Sequence, residues 1–136
     1  MIGDHYRVSI FAAQIWRLWP DWRTEIPPGR YRFFNLWFIS AGEGKLTSPE
    51  GTNALTAGTC ALLRPWGDYR ARHNPGNPIT YTRISFYLKD DAGRDPPEHE
   101  LPPLIQHPTD WHLSEMMLRK VVHAWAESSP LSGRVA

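Results

Sequence analysis

Short apolar runs alternate with turn residues through the middle of the chain, over residues 33–88. The runs are rich in Phe, Ile, Leu, Trp, Tyr and Thr, a composition typical of β-strands. No helix of normal length fits between the turn residues, so the pattern predicts an all-β core of antiparallel strands. The turns are Gly42-Glu43-Gly44, Pro49-Glu50-Gly51, Ala57-Gly58, Pro65-Trp66-Gly67 and Asn74-Pro75-Gly76-Asn77-Pro78.

Two segments before this stretch extend the β pattern. Residues 6–19 are apolar and aromatic with partial alternation, which predicts one or two strands that close one end of a sandwich. Residues 20–29 contain prolines and a glycine and are predicted to form a loop or an edge strand.

The end of the chain changes character after the predicted barrel. Residues 91–108 are too rich in proline for a helix or a central strand and are predicted to be a connector. A helix is predicted over residues 109–128, with Thr109 as N-cap and Asp110 in its first turn. Residues 129–136 are small and polar and are predicted to be a tail or linker. A stripe predicted to face the core has the positions Leu113, Met116, Met117, Val121, Ala124 and Trp125.

Composition limits the class of protein. The chain has 136 residues and a formal net charge of +1, with one cysteine, Cys60. This length predicts one globular domain, and the near-neutral charge does not favour a nucleic-acid-binding surface. No zinc-finger spacing or helix-turn-helix pair is recognisable. With no apolar run long enough to span a membrane and no signal peptide, the expected location is cytoplasmic.

Residues 36–86 resemble the effector-binding cupin domain at the N-terminus of AraC-type transcription regulators. Four pieces in order carry the resemblance: Gly-x-Gly-x-Leu at residues 42–46, a hairpin at residues 48–51, a strand closing on the proline corner at residues 64–67, and an aromatic-rich strand ending in Phe86. The resemblance implies a cupin-type double-stranded β-helix, a jelly-roll barrel, with effector binding over residues 1–90. In that family, helices after the barrel make the homodimer contact.

The motif positions of metal-dependent cupins lack their usual ligands here. Aligned on Gly58, the histidine after the proline turn falls on Tyr69, and the earlier motif contains no histidine. Three or four converging ligands cannot be assembled. There is also no nucleophile beside a base and no glycine-rich phosphate loop. We therefore expect no metal, no other cofactor and no catalysis.

The strands around residues 31–39 and 79–88 supply candidate ligand-binding residues. Tyr81 and Arg83 fall where sugar-binding family members place ligand-contacting side chains, and an aromatic face with a guanidinium fork suits a sugar or a small acid. A solvent face, in which Arg83 pairs with an acid, is the alternative. In sugar-binding members of that family, the face that corresponds to the odd-numbered residues of the strand around residues 31–39 points inward. The predicted ligand-binding set is Tyr81, Arg83, Trp37, Asn35, Tyr69, Tyr31 and Trp16.

The combined prediction is the sensing and dimerisation domain of an AraC-type regulator. It would bind a small effector, with a sugar favoured, and act allosterically on a helix-turn-helix domain outside this chain. Trp111, Leu118 and Val122 extend the helix's apolar surface, which either packs on its own barrel or forms the homodimer contact. The alternative functions are a small metal-dependent cupin enzyme and a stand-alone sugar-binding module.

Overall fold

Turn residues divide the chain into short strands, as the sequence pattern predicts. The computed structural model describes residues 6–128. Within that range the elements are β1 (Arg7–Arg17), β2 (Arg23–Ile26), β3 (Phe34–Ala41), β4 (Glu43–Ser48), β5 (Gly51–Thr56), β6 (Cys60–Leu63), β7 (Tyr69–His73), β8 (Thr80–Lys89), a single 3-10 turn (Glu98–Glu100), β9 (Ile105–Gln106) and α1 (Trp111–Ser128).

The strands form two antiparallel sheets that face each other. One sheet has the order β1-β8-β3-β6-β9 and the other the order β2-β7-β4-β5. Successive strands cross repeatedly from one sheet to the other, so the first eight strands wind into a jelly roll. The prediction of an all-β, double-stranded β-helix with a C-terminal helix is confirmed.

Residues from both inner faces fill the space between the sheets. Trp37 and Ile39 of β3 meet Leu46 of β4, Leu55 of β5 and Ala71 of β7 in the main buried cluster. The inward parity predicted for the odd positions of β3 is therefore observed from residue 35 onward. Phe33 precedes β3 and packs against Phe11 and Tyr87 rather than in this cluster.

The Gly-x-Gly motif is explained by a close backbone approach. A Cβ atom at Gly42 would lie 2.3 Å from the carbonyl oxygen of Pro78, and one at Gly44 would lie 2.5 Å from that of Arg72. Gly42 also has a φ of 92°, which L-residues with side chains rarely adopt. Gly42 thus lets the β3–β4 corner lie directly on the loop before β8, and Gly44 lets β4 lie close against β7.

The proline-rich connector covers one edge of the five-stranded sheet. Its two-residue strand β9 pairs with Cys60 and Ala61 of β6. Arg64, buried at the end of β6, reaches into the connector, where its guanidinium donates to Glu98 and to the carbonyl oxygen of Pro102. Prolines cannot extend a ladder, so the connector closes this edge to further strands.

The helix begins one residue later than predicted. Asp110 precedes it, and its carboxylate accepts a hydrogen bond of 3.2 Å from the backbone N–H of Leu113. That is the role of an N-cap, so Asp110 rather than Thr109 caps the helix. Glu115 and Arg119, one turn apart on the helix, form an ion pair at 4.0 Å.

The helix presents only part of the predicted stripe to the barrel: Val121 and Trp125 are partly buried, and Ala124 is exposed. Leu113, Met116 and Met117 are about half exposed, so the prediction that they face the core is wrong. Trp111 instead packs on Phe38, with ring centroids 6.5 Å apart. Trp111, Leu118 and Val122, predicted as dimer contacts, are each partly buried. The predicted tail over residues 129–136 lies outside the described residues.

No helix within residues 6–128 is long and apolar enough to cross a membrane.

Candidate ligand-binding cavity

A cavity of about 430 Å³ lies at one end of the barrel, between the two sheets. Its walls come from β1, the turn after β1, β2, β3 and β8. This volume is within the range of small-molecule sites. The aromatic lining residues are Trp16, Trp19, Trp22, Tyr31, Trp37 and Tyr81, and the polar ones are Gln14, Thr24, Asn35 and Arg83.

Arg83 is held in the cavity wall by the side chain of Asn35. The Nε–H group of Arg83 donates to Asn35 Oδ1 at 3.1 Å, and the hydroxyl of Ser85 donates to the same oxygen at 2.7 Å. The three residues meet because β3 and β8 are paired in register, with Asn35 opposite Ser85. Among residues 6–128 no carboxylate forms an ion pair with Arg83. The alternative prediction, that Arg83 pairs with an acid on a solvent face, is therefore not observed in the described residues.

Three aromatic side chains meet edge to face on one side of the cavity. The ring centroids of Trp37 and Tyr81 are 5.5 Å apart, and those of Trp22 and Trp37 are 6.0 Å apart. Such contacts fix ring orientation as well as burying apolar area. Burial raises the pKa of the Tyr81 hydroxyl, and the nearby charge of Arg83 opposes that rise. Tyr81 therefore carries a neutral hydroxyl at physiological pH.

The indole N–H of Trp37 is buried without a hydrogen-bond partner in the described part of the chain. Trp37 is only 4% exposed and lines the cavity. A buried donor without a partner costs about 1–3 kcal/mol.

His73 anchors the turn that forms one rim of the cavity. Its Nδ1 accepts a hydrogen bond of 3.0 Å from the backbone N–H of Ile79, so Nε2 carries the proton and donates to the carbonyl oxygen of Pro20 at 2.9 Å. The backbone N–H of Leu18 donates to the carbonyl oxygen of Ile79. These bonds hold the turn between β1 and β2, including Trp22, against the barrel.

Six of the seven predicted ligand-binding residues line this one cavity: Tyr81, Arg83, Trp37, Asn35, Tyr31 and Trp16. The structure places them together, and their role in binding stays a prediction. Tyr69 lies elsewhere. Its hydroxyl oxygen accepts a hydrogen bond of 3.0 Å from the backbone N–H of Arg64, and its ring covers Gly67, because the proline corner turns it away from the cavity.

The sequence pattern did not indicate Trp19, Trp22 or His73 as parts of the site. Both tryptophans lie in a proline-flanked turn whose path depends on contacts with distant strands. Large aromatic residues are uncommon in loops, so two tryptophans in one short turn were the signal that could have indicated a site there.

Other reactive groups do not gather in the part of the chain that the structure describes. No three His, Cys, Asp or Glu side chains within residues 6–128 come together as a possible metal site. Cys60 is partly buried, and burial raises the pKa of its thiol to about 11, which keeps it protonated at neutral pH.

Comparison with known proteins shows similarity at the level of fold. No protein-family model and no curated protein sequence matches the chain. The crystal structure of the protein YhaK from Escherichia coli superimposes with a TM-score of 0.52 at 22% identity, over 73% of this chain and 41% of that one. A cupin 2 domain-containing protein from Halorhodospira halophila has a TM-score of 0.47 at 14% identity, over 88% of this chain and 81% of that one. This chain thus spans less than half the length of the Escherichia coli protein, and at these identities the similarity concerns the fold alone.

Proposed function

We propose that this chain is the effector-sensing and dimerisation domain of an AraC-type transcription regulator. A small molecule would bind in the cavity and act allosterically on DNA binding by a helix-turn-helix domain outside this chain. The jelly-roll topology and the order of motifs over residues 36–86 support the proposal.

One observation carries the binding role. Arg83 is positioned by Asn35 inside an aromatic cavity, and no carboxylate within residues 6–128 neutralises it. A guanidinium held in this way, without a carboxylate partner, is placed to form charge-assisted hydrogen bonds with an anionic group of a ligand. Pre-positioned polar groups in an otherwise apolar cavity are typical of small-molecule sites.

Strand β3 offers a route from the cavity to the helix. Successive residues of a strand point to opposite faces. Trp37 faces the cavity, whereas Phe38 faces outward and contacts Trp111 of α1. A ligand that shifts Trp37 would therefore change the position of the helix on β3. An allosteric effect needs a contact of this kind that differs between the free and bound states.

The test is to fuse residues 1–136 to a DNA-binding domain that binds its operator only as a dimer. Ligands are first found by thermal shift, with a sugar panel beside a panel of small acids. We expect a ligand that stabilises the chain to change operator affinity by about 5–150-fold, the usual range of allosteric coupling.

Two variants serve as controls for this test. Arg83→Gln should lose the effect of the ligand on operator affinity while keeping the affinity measured without ligand. Ala92→Lys, on an exposed loop, should change neither. A ligand that binds but leaves operator affinity unchanged would overturn the sensor role. A ligand that is chemically converted would instead favour the enzyme alternative.

A further inference from the structure

The one charged side chain among the described residues that line the cavity is a cation, Arg83. Its Nε–H donates to Asn35 and its guanidinium lies beside the hydroxyl of Tyr81, but no carboxylate within residues 6–128 pairs with it. The two amide oxygens in the lining already accept bonds. Asn35 Oδ1 accepts from Arg83 and Ser85, and Gln14 Oε1 accepts from the indole N–H of Trp16 at 3.2 Å.

The charge of the described lining separates the two ligand classes that the sequence left open. Every hydroxyl of a sugar donates as well as accepts, so a sugar site needs acceptors in number, and carboxylates are the strongest of them. No carboxylate is among the lining residues that the structure describes. A carboxylate ligand only accepts, and an arginine fork binds it with two parallel bonds.

The walls indicate the shape of the rest of the ligand. Trp22, Trp37 and Tyr81 meet edge to face, and Tyr31 and Trp16 complete a largely aromatic lining. Flat rings pack against flat or edge-on rings with a preference that a branched aliphatic body lacks. The cavity of about 430 Å³ has room for a one- or two-ring compound.

We propose that the cavity binds a small aromatic carboxylate, with the carboxylate on Arg83 and the ring among Trp22, Trp37 and Tyr81. This inference rests on the proposed function, because it names the ligand class of the same site. It replaces the sugar that the family resemblance favoured.

The experiment is isothermal titration of the full chain with matched pairs of probes. Benzoate and 2-naphthoate are each compared with their neutral amides, which keep the ring and lose the charge. Cyclohexanecarboxylate keeps the charge and loses the flat ring, and an aldopentose represents the sugars. We expect each aromatic carboxylate to bind at least about tenfold more tightly than its amide and than cyclohexanecarboxylate, since charge-assisted bonds and ring packing each contribute that much.

Variants then test the role of each group. Arg83→Gln should remove the preference for carboxylate over amide, because it weakens carboxylate binding more than amide binding. Arg83→Lys keeps the charge but not the fork and should retain part of the preference. If these variants do not fold, the probe pairs measured on the unaltered chain still decide the question.

Equal binding of carboxylate and amide, or tight binding of the aldopentose alone, would overturn the aromatic-carboxylate inference. Such results leave the proposed sensor intact. Conversely, carboxylate binding without any change in operator affinity of the fusion supports the ligand class and overturns the sensor role.

Discussion

Arg64 is buried although it carries a full positive charge, and its donors are distributed over three partners. Its guanidinium donates to the carboxylate of Glu98 at 2.8 Å, to the carbonyl oxygen of Leu62 at 2.6 Å and to the carbonyl oxygen of Pro102. A buried cation that lost these bonds would be strongly destabilising. Arg64 therefore joins the end of β6 to the proline-rich connector.

The carboxylate of Glu98 should make stability depend on pH. Its hydrogen bond to Arg64 lowers the pKa of Glu98 below the usual 4.5. A lowered folded-state pKa means that the contribution is complete above pH 4.5 and is lost as pH falls through the lower folded value. Because Glu98 is 61% exposed, solvent screening limits the contribution to about 0.2–1 kcal/mol. We expect Glu98→Gln to lower the free energy of unfolding by this amount at pH 7.

Urea denaturation at pH 7 and at pH 3 measures this difference. The difference in the free energy of unfolding between the original chain and Glu98→Gln should be smaller at pH 3 than at pH 7. Glu127→Gln, an exposed carboxylate on α1, is the matched control and should show no such gap. A gap that is the same at both pH values would contradict the assignment.

The site residues that lie on strands could be predicted from strand parity. The site residues in the turn after β1 could not. Asn35, Trp37, Tyr81 and Arg83 lie on regular strands, so their shared face follows from the period of two. Trp22 lies in a turn, and its place depends on the bonds that His73 makes across the barrel. No local pattern encodes a contact between residues so far apart in the sequence.

Strand β7 places a row of like charges on the outer face of the four-stranded sheet. Arg72 lies directly opposite Arg23 on β2 and Lys45 on β4. Like charges opposite each other destabilise a sheet by about 0.2–1 kcal/mol. We expect Arg72→Thr to raise the free energy of unfolding by a similar amount at low salt. The gain should shrink in 1 M salt, where the Debye length is about 3 Å.

Arg70→Thr is the matched control on the same strand. Arg70 lies opposite Glu25 and Thr47 rather than opposite other cations. Its removal should therefore be neutral or destabilising at low salt. If Arg72→Thr and Arg70→Thr raised the free energy of unfolding equally, the strand propensity of Thr, and not charge, would explain the increase.

The docking of α1 depends on a glycine in the barrel. Gly58 has a φ of 91°, and a Cβ there would lie 2.9 Å from Cγ of Trp111. Gly58→Ala should thus cost the backbone strain of about 1–2 kcal/mol plus the displacement of Trp111. Gly29→Ala, at a φ of 81° with nothing within 4 Å of its Cβ, should cost the strain alone. Denaturant titrations of the two variants compare these costs, and equal values would mean that Trp111 does not pack there.

The helix face was wrongly predicted at Leu113, Met116 and Met117 because apolar residues nearly surround the helix. Leu113, Met116 and Met117 form one apolar surface, and Trp111, Leu118 and Val122 extend another. Spacing alone cannot choose between two such surfaces. The long-range fit of Trp111 over Gly58 selects the face that packs on the barrel.

A homodimer through the C-terminal helix stays a prediction, and the structure changes which residues would form it. Leu113, Met116 and Met117 are the exposed apolar side chains of the helix. The double substitution Met116→Lys/Met117→Lys should convert a dimer to a monomer, because it places charges in an apolar contact. Sedimentation equilibrium measures the mass, with Ala92→Lys as a control at an exposed loop. A mass that does not change on the double substitution would exclude this helix face as the contact.

The pairing of β1 with β8 has a consequence for the timing of synthesis. Residue 7 lies opposite residue 89, so the first strand of the barrel pairs with the last to be made. At about 5–20 residues per second, β1 waits roughly 4–16 seconds on the ribosome for its partner. During that time Val8, Ile10 and Phe11 have no sheet to join. A chaperone that binds short apolar segments would find a target in β1 during this interval.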